Sequence, residues 1–258
     1  MTPDSKRLPS HYTPCPLGLT DKADGSKRHI HHLSYPPSSK NTINTGIPEA
    51  YGVIQYSGIE QATQAVQDFG RGSLLMKRDF ESAFRHIPIS PEDTPLLGFH
   101  WQNQYYAERF LPLALRTAPS IFNLFTVVFH WILEQELALQ QIPASVTHYL
   151  DDFLIVVPPG TDNKKCTKAF TTLCSTVGLS IKASKNEEGT RVSFAALEIE
   201  MESMVVCLPE KKLLKAHRIV ESAMKEQLLS LFEIQRITSY LNSVAATAPL
   251  GQTFLRRL

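Results

Sequence analysis

Thr147-His148-Tyr149-Leu150-Asp151-Asp152-Phe153-Leu154-Ile155-Val156-Val157 sets two adjacent carboxylates between β-favouring residues and follows them with an apolar run. Successive side chains of a regular strand point to opposite faces. Asp151 and Asp152 can therefore share one site only if the chain turns there, and aspartate is a good turn residue. Two neighbouring negative charges repel unless a cation sits between them. Read as a site, the pair suits Mg²⁺, a hard ion that takes oxygen ligands and keeps several waters. Read alone, it is more often a solvated hairpin tip.

A second acidic position changes that balance. Leu74-Leu75-Met76-Lys77-Arg78-Asp79-Phe80-Glu81-Ser82-Ala83-Phe84 reads as a short strand whose end carries Asp79. A single aspartate there commonly caps a following helical turn. Facing the Asp151-Asp152 turn, it would instead complete a cage of three carboxylates. Two divalent ions about 3.5–4 Å apart in such a cage are the arrangement for in-line nucleotidyl transfer.

The 258 residues, 43% hydrophobic and 20% charged, have the composition of a soluble globular protein and leave room for one or two domains. Net charge is +1, so any nucleic-acid surface has to be local. Cys15, Cys166, Cys174 and Cys207 show no CxxC spacing, which favours reduced thiols in an intracellular protein, either cytoplasmic or nuclear. The apolar runs fall short of a membrane span, and no secretory core is expected at the N-terminus.

In chain order, Met1 to about Asp24 reads as loose and Arg28–Pro36 as a strand ending before Pro36-Pro37. His29, His31 and His32 match no zinc spacing. Lys22, Lys27 and Arg28 read either as a phosphate-holding cluster or as a solvated loop. Ser38–Gly52 reads as a long surface loop. Gly58–Gly70 predicts an amphipathic helix with Ile59, Ala62, Val66 and Phe69 inward. Leu96–Trp101 and Gln104–Ala107 predict a hairpin around Gln102-Asn103. Pro119 suits the first turn of a helix running to about Gln141. Its density of Phe, Val, Leu and Trp131 predicts burial on most sides. Lys164–Val177 predicts a helix stopped by Gly178, and Ile181–Lys185 and Val192–Glu200 predict strands. The order strand–helix–strand–strand–helix–strand is the split βαβ layout of a ferredoxin-like sheet, which puts Asp79 and the acidic turn on adjacent central strands. From Leu208 the chain reads as helical. Lys211, Lys212, Lys215, Arg218 and Lys225 line its first helix, as a solvated face or as a phosphate-backbone contact.

These blocks together resemble the reverse transcriptases of retroelements: RHIHHLSYP at Arg28–Pro36, KRDFESAFRHIP at Lys77–Pro88, LLGFHW at Leu96–Trp101, LPLALRTAPSIF at Leu111–Phe122, HYLDDFLIVVPPG at His148–Gly160 and GQTFLRRL at Gly251–Leu258. The nearest likeness is to DIRS-type (tyrosine-recombinase) retrotransposons, with gypsy-type and retroviral enzymes further off. The resemblance implies an α+β right-hand polymerase with a ferredoxin-like palm, fingers and a partial helical thumb. Its expected divisions are fingers at 1–53, palm at 54–87, fingers at 88–118, palm at 119–205 and the start of a thumb at 206–258.

By that likeness Asp79, Asp151 and Asp152 are the catalytic carboxylates and hold two Mg²⁺ ions. Arg28, with Lys22 as a second contact, binds the triphosphate of the incoming dNTP. Phe84 is the steric gate against a ribose 2′-OH, or else an aromatic in the core of a short helix. Phe80, Leu113 and Arg116 belong to the nucleotide site, and Lys185 assists the departing pyrophosphate. Tyr149, Lys211, Lys212 and Lys215 face the nucleic acid. The implied partners are an RNA or DNA template with its primer, dNTPs, and other retroelement domains on separate chains, with no membrane. The implied activity is RNA-directed DNA polymerisation. A catalytically inactive palm that binds nucleic acid or a protein is the alternative, and an RNA-to-RNA polymerase is a weaker third that Phe84 argues against.

Five positions depart from the family pattern, one of them Ala195 in place of a larger apolar residue. Ala114 and Ala196 stand at usual glycines, the second in the hairpin that grips the primer. Leu113 replaces an aromatic or polar residue, and Arg78 replaces an apolar one. A Cβ where positive φ is required costs on the order of 1 kcal/mol.

Overall fold

The structure is a computed structural model that describes residues 12, 14–22, 25–37, 39–54, 59–226, 228–245, 253 and 255. Much of the N-terminal stretch expected to be loose, and most of the block 251–258, lie outside the described residues. The chain forms two units and passes between them repeatedly. The first gathers Met1–Tyr56, Phe80–Glu136 and Ala169–Lys182; the second gathers Ser57–Asp79, Leu137–Lys168 and Ala183–Leu258.

Strands β1 (Leu17–Asp21) and β2 (Lys27–His31) open the chain as an antiparallel hairpin, and a single helical turn follows, α1 (Ile43–Gly46). Next come α2 (Ile59–Phe69), β3 (Leu74–Asp79), the hairpin of β4 (Gly98–Trp101) with β5 (Gln104–Ala107), and the long helix α3 (Ala118–Leu139). A second hairpin, β6 (Ser145–Tyr149) with β7 (Asp152–Val157), leads to α4 (Asn163–Val177) and β8 (Glu187–Gly189). β9 (Arg191–Phe194), β10 (Leu197–Glu200) and β11 (Val205–Cys207) make a three-stranded meander, and α5 (Glu210–Lys225) and α6 (Leu231–Ala245) follow.

The second unit holds a four-stranded antiparallel sheet in the order β6-β7-β3-β8. Numbered by their appearance, those strands read second-third-first-fourth, the ferredoxin-like order expected from the sequence. β3 and β7 are therefore central and paired, Leu74 with Val157 through to Asp79 with Asp152. Phe153 to Val157 are all buried, which explains why that strand reads as a continuous apolar run. One face of the sheet supplies Leu75, Leu154 and Val156 to a core closed by Ala62, Ala65 and Val66 of α2 and by Val192, Phe194 and Ile199. Each large aliphatic side chain buried there contributes roughly 1.5–3 kcal/mol. Helix α2 stops where Gly70 takes φ +75°, a backbone state glycine enters without strain.

In the first unit Cys15, Leu33 and Leu97 form a small core with Ile43, Ile89 and Leu115. The rings of Phe80, Phe122, Phe129 and Phe170 form a second, aromatic cluster.

Six readings of the sequence need correction. The stretch Met1 to about Asp24 is not all loose, because Leu17–Asp21 is the strand β1, paired in register with β2. Ser38–Gly52 is not all loop: Thr42 caps α1 through a reciprocal bond with Thr45, and a 3-10 turn covers Glu49–Gly52. Ile181 makes only an isolated bridge to Phe80, while Ala183–Lys185 is a 3-10 turn and the fourth strand starts at Glu187. The strand expected over Arg28–Pro36 stops at His31. Val192–Glu200 is two strands folded back at Ala195-Ala196, a reversal that alanine does not signal and that only the family resemblance implied. Finally, α3 buries Phe122, Phe129, Leu133 and Leu137 but leaves Leu124, Val128 and Trp131 exposed. Composition marks a helix as apolar without saying which side finds a partner.

Candidate active site

Three carboxylates meet at one end of the central strand pair. Asp79 ends β3 and stands directly opposite Asp152, the first residue of β7. Tyr149 pairs with the same Asp152 from the other side, so Leu150 and Asp151 form a two-residue loop. Leu150 takes φ +53° there, a sign of backbone strain in a leucine. The tight reversal keeps the consecutive aspartates at the same end of the strand pair.

The electrostatics follow from crowding and burial. Asp79 is 4% exposed and accepts a 2.6 Å bond from Lys185 Nζ through Oδ2. Burial raises the pKa of Asp151, with repulsion from Asp79 adding to it. Burial pushes Asp152 up to about 6; Lys77 opposes this, while Asp79 and Asp151 reinforce it. Burial pulls the Lys185 ammonium down, but its bond to Asp79 and the surrounding carboxylates outweigh that and raise it. Lys77 Nζ approaches Asp152 Oδ1 at 3.5 Å as an ion pair, while that buried oxygen has no hydrogen-bond partner. Among the described residues, no group of three or more His, Cys, Asp or Glu side chains is preassembled to hold a metal ion. Lysine ammonium groups, not a shared centre, neutralise the carboxylates here. The donor set nonetheless fits a hard divalent cation: all-oxygen, mutually repelling, with one orphaned buried oxygen.

The remaining candidates distribute unevenly. Lys185 joins the carboxylates, and Tyr149, 37% exposed, flanks them in register. Arg28, Lys22, Phe80, Phe84, Leu113 and Arg116 belong to the other unit. Arg28 is exposed on β2 opposite Thr20, and the Lys22 N–H donates to Ser26 O at 2.8 Å. Phe80 is only 1% exposed, so its ring belongs to the aromatic core and not to a surface a nucleotide could touch. Phe84 sits half-buried on the 3-10 turn Ala83–His86 with its ring edge-on to Phe122. Leu113 is exposed, while the Arg116 guanidinium is used internally, donating to Ile47 O at 2.7 Å. Lys211 is exposed on α5, Lys212 O accepts from Tyr240, and Lys215 lies over the Tyr240 ring at 4.8 Å.

Several supporting residues carry no sequence signal. Asn44 is buried and holds the turn before α3: Nδ2 donates to Ala114 O, and Oδ1 accepts the Arg116 N–H. Ala114 is not among the residues with positive φ, whereas Ala195 and Ala196 are, at +47° and +66°. The glycine replacement is therefore strained at the later hairpin only. Arg78, 2% exposed, pairs with Glu188 and donates to Thr167 Oγ1 at 3.0 Å, which explains how a charge occupies an apolar strand position. In the first unit, buried Glu108 joins His31 at 2.7 Å and also pairs with Arg85. Burial pushes Glu108 up, but the bonds from His31 and Arg85 outweigh it and hold the carboxyl below its ordinary value.

The fold is that of a right-hand polymerase. The family model described as "Reverse transcriptase (RNA-dependent DNA polymerase)" matches residues 22–231, and the chain belongs to that family. The genome polyproteins of two isolates of Petunia vein clearing virus are 27% identical over 115 residues, which is 45% of this chain and 5% of theirs. Among solved structures, the foamy viral protease-reverse transcriptase dRH in complex with double-stranded DNA aligns at TM-score 0.65 and 16% identity. That alignment covers 95% of this chain and 38% of the foamy viral one. The same protease-reverse transcriptase in complex with an RNA/DNA hybrid aligns at TM-score 0.60 and 16% identity, over 95% and 30%. The chain thus spans a small part of the polyproteins and under half of the foamy viral chains. No helix among the described residues is long and apolar enough to cross a membrane.

Proposed function

We propose that the chain is an RNA-directed DNA polymerase domain that extends a primer 3′-hydroxyl with dNTPs on a nucleic-acid template. The observation that carries this reading is the register pairing of Asp79 with Asp152 beside the Leu150-Asp151 loop. Asp79 and Asp151 would hold two Mg²⁺ ions, with Asp152 completing the acidic cluster. Bound there, the metal would supply activation of the 3′-hydroxyl and neutralise charge on the leaving pyrophosphate. The protein's own part is to hold the carboxylates close, and to release Lys185 from Asp79 so that its ammonium meets the pyrophosphate. Arg28 and Lys22 bind the triphosphate, and Phe84 excludes a ribose 2′-OH. The fingers, palm and thumb divisions, the contacts of Tyr149, Lys211, Lys212 and Lys215 with nucleic acid, and the DIRS-type affiliation belong to the same proposal.

A second reading, a palm that binds nucleic acid without catalysis, draws support from Ala195 and Ala196, strained at a hairpin where glycine is the favoured residue. Primer extension on an RNA template with Mg²⁺ and dNTPs separates the two. Extension by the wild type, reduced on the order of 10³-fold or more by Asp151→Asn, is the expected result. Duplex binding without extension by the wild type supports the second reading. Phe84→Ala is expected to admit ribonucleotides; unchanged sugar selectivity removes the gate.

A further inference from the structure

Lys77 is buried at 9% exposure within β3, two residues before Asp79 and on the same face. In register it stands opposite Glu187 of β8 on one flank and Leu154 of β7 on the other. Asp152 is thus its diagonal cross-strand neighbour, within reach of a long side chain. The ammonium lies 3.5 Å from Asp152 Oδ1 and 3.6 Å from Glu187 Oε1. Glu187 is itself fixed, because its Oε2 accepts the Ser193 N–H of β9 at 2.9 Å. A lysine this enclosed is unfavourable unless opposite charges meet it. Here they meet it from two strands, and one of them is a carboxylate of the candidate active site.

We propose that Lys77 is a positioning residue that holds Asp152 back from the cation site of Asp79 and Asp151. It acts as a protein-supplied counter-ion for the third carboxylate and ties that carboxylate, through Glu187, to β9. The inference rests on the polymerase reading. It has an unusual consequence: removing the ammonium frees a carboxylate oxygen, so divalent cation binds more tightly while turnover slows. Damage to the fold would weaken both together.

The test is a double-mutant cycle of Lys77→Met and Asp152→Asn, with Lys77→Arg as the charge-preserving control. Melting is measured first in EDTA. A double mutant departing from the sum of the singles by about 2 °C or more supports the pair, and additivity overturns it whether or not the chain polymerises. Mn²⁺ is then titrated by electron paramagnetic resonance. Lys77→Met is expected to lower the dissociation constant about three- to tenfold, because the freed Asp152 oxygen adds an anionic ligand to the site. The gain is expected to vanish in the Asp152→Asn background; if it persists, Lys77 acts only as a general field and the positioning role is overturned. In primer extension, Lys77→Met lowers kcat at unchanged dNTP KM and Lys77→Arg restores both kcat and the cation constant; loss of both cation binding and turnover in Lys77→Met overturns the proposal. A wild type that ignores Mn²⁺ but keeps the metal-free coupling overturns the polymerase reading, and with it any role for Lys77 toward a cation.

Discussion

Two hairpins of the same unit use two-residue loops and place non-glycine residues at positive φ, yet they differ in what accompanies the strain. At Leu150-Asp151 the strained leucine at +53° sits beside Asp151 and Asp152, whose ionised forms burial and repulsion from neighbouring carboxylates disfavour. At Ala195-Ala196 both residues are strained and the loop carries no charge. The first hairpin combines backbone strain with an electrostatic cost that a bound cation would relieve, the pattern expected of a functional site. The second has strain alone, and glycine would remove it. Strain by itself does not point to a site; strain together with crowded, buried carboxylates does.

The largest effect that sharpens this contrast is in pH. The Asp152 pKa is raised from 3.8 to about 6, so its contribution to stability is fully present below the unfolded value and is lost as pH rises through about 6. Without metal, the wild type is expected to lose on the order of 2–3 kcal/mol between pH 4 and 7 relative to Asp152→Asn. Asp151 shifts in the same direction, whereas Glu108, held low, loses its contribution as pH falls. Parallel melting curves for wild type and Asp152→Asn in EDTA across that range would remove the electrostatic half of the comparison.

A smaller effect tests the support on the opposite face of β3. Glu188→Ala leaves the Arg78 guanidinium, at 2% exposure, without its anion. The expected loss is about 2 kcal/mol, below the roughly 3–5 for a fully buried pair, because Glu188 is 40% exposed. Arg78→Met combined with Glu188→Met should return most of that stability in urea unfolding. A double variant as weak as Glu188→Ala would mean that Arg78 matters for its shape and not its charge.

The smallest effect belongs to the second hairpin. Ala196→Gly is expected to stabilise by about 1 kcal/mol, since glycine takes φ +66° freely. An unchanged or lower urea midpoint would show that the turn is not strained.

The sequence reveals those parts of the fold whose signals are local. The Leu74–Asp79 strand, the 147–157 hairpin and the stop at Gly178 all rest on neighbouring residues. Asp79 and the acidic doublet are legible because both stand where a strand ends, and the split βαβ order then makes their strands neighbours. Pairings between distant residues leave no such trace. Asn44 with Ala114, Arg78 with Glu188 and Lys77 with Glu187 join positions 70 to 110 residues apart. Nothing near Lys77 distinguishes a buried counter-ion from a solvated lysine. Phe80 shows the converse, since its place beside Asp79 suggests a ligand contact while its ring belongs to the core.

The proposed chemistry requires Asp79 and the Asp151-Asp152 hairpin to bind a divalent cation together in the folded state. Melting temperature against Mg²⁺ tests it directly, because a ligand of the folded state alone stabilises by about 1.4 kcal/mol at ten times its Kd. Mg²⁺ is expected to raise the melting temperature of the wild type, and Asp79→Asn and Asp151→Asn are each expected to abolish that rise. A flat wild-type response up to high Mg²⁺, or an equal rise in both variants, would contradict it.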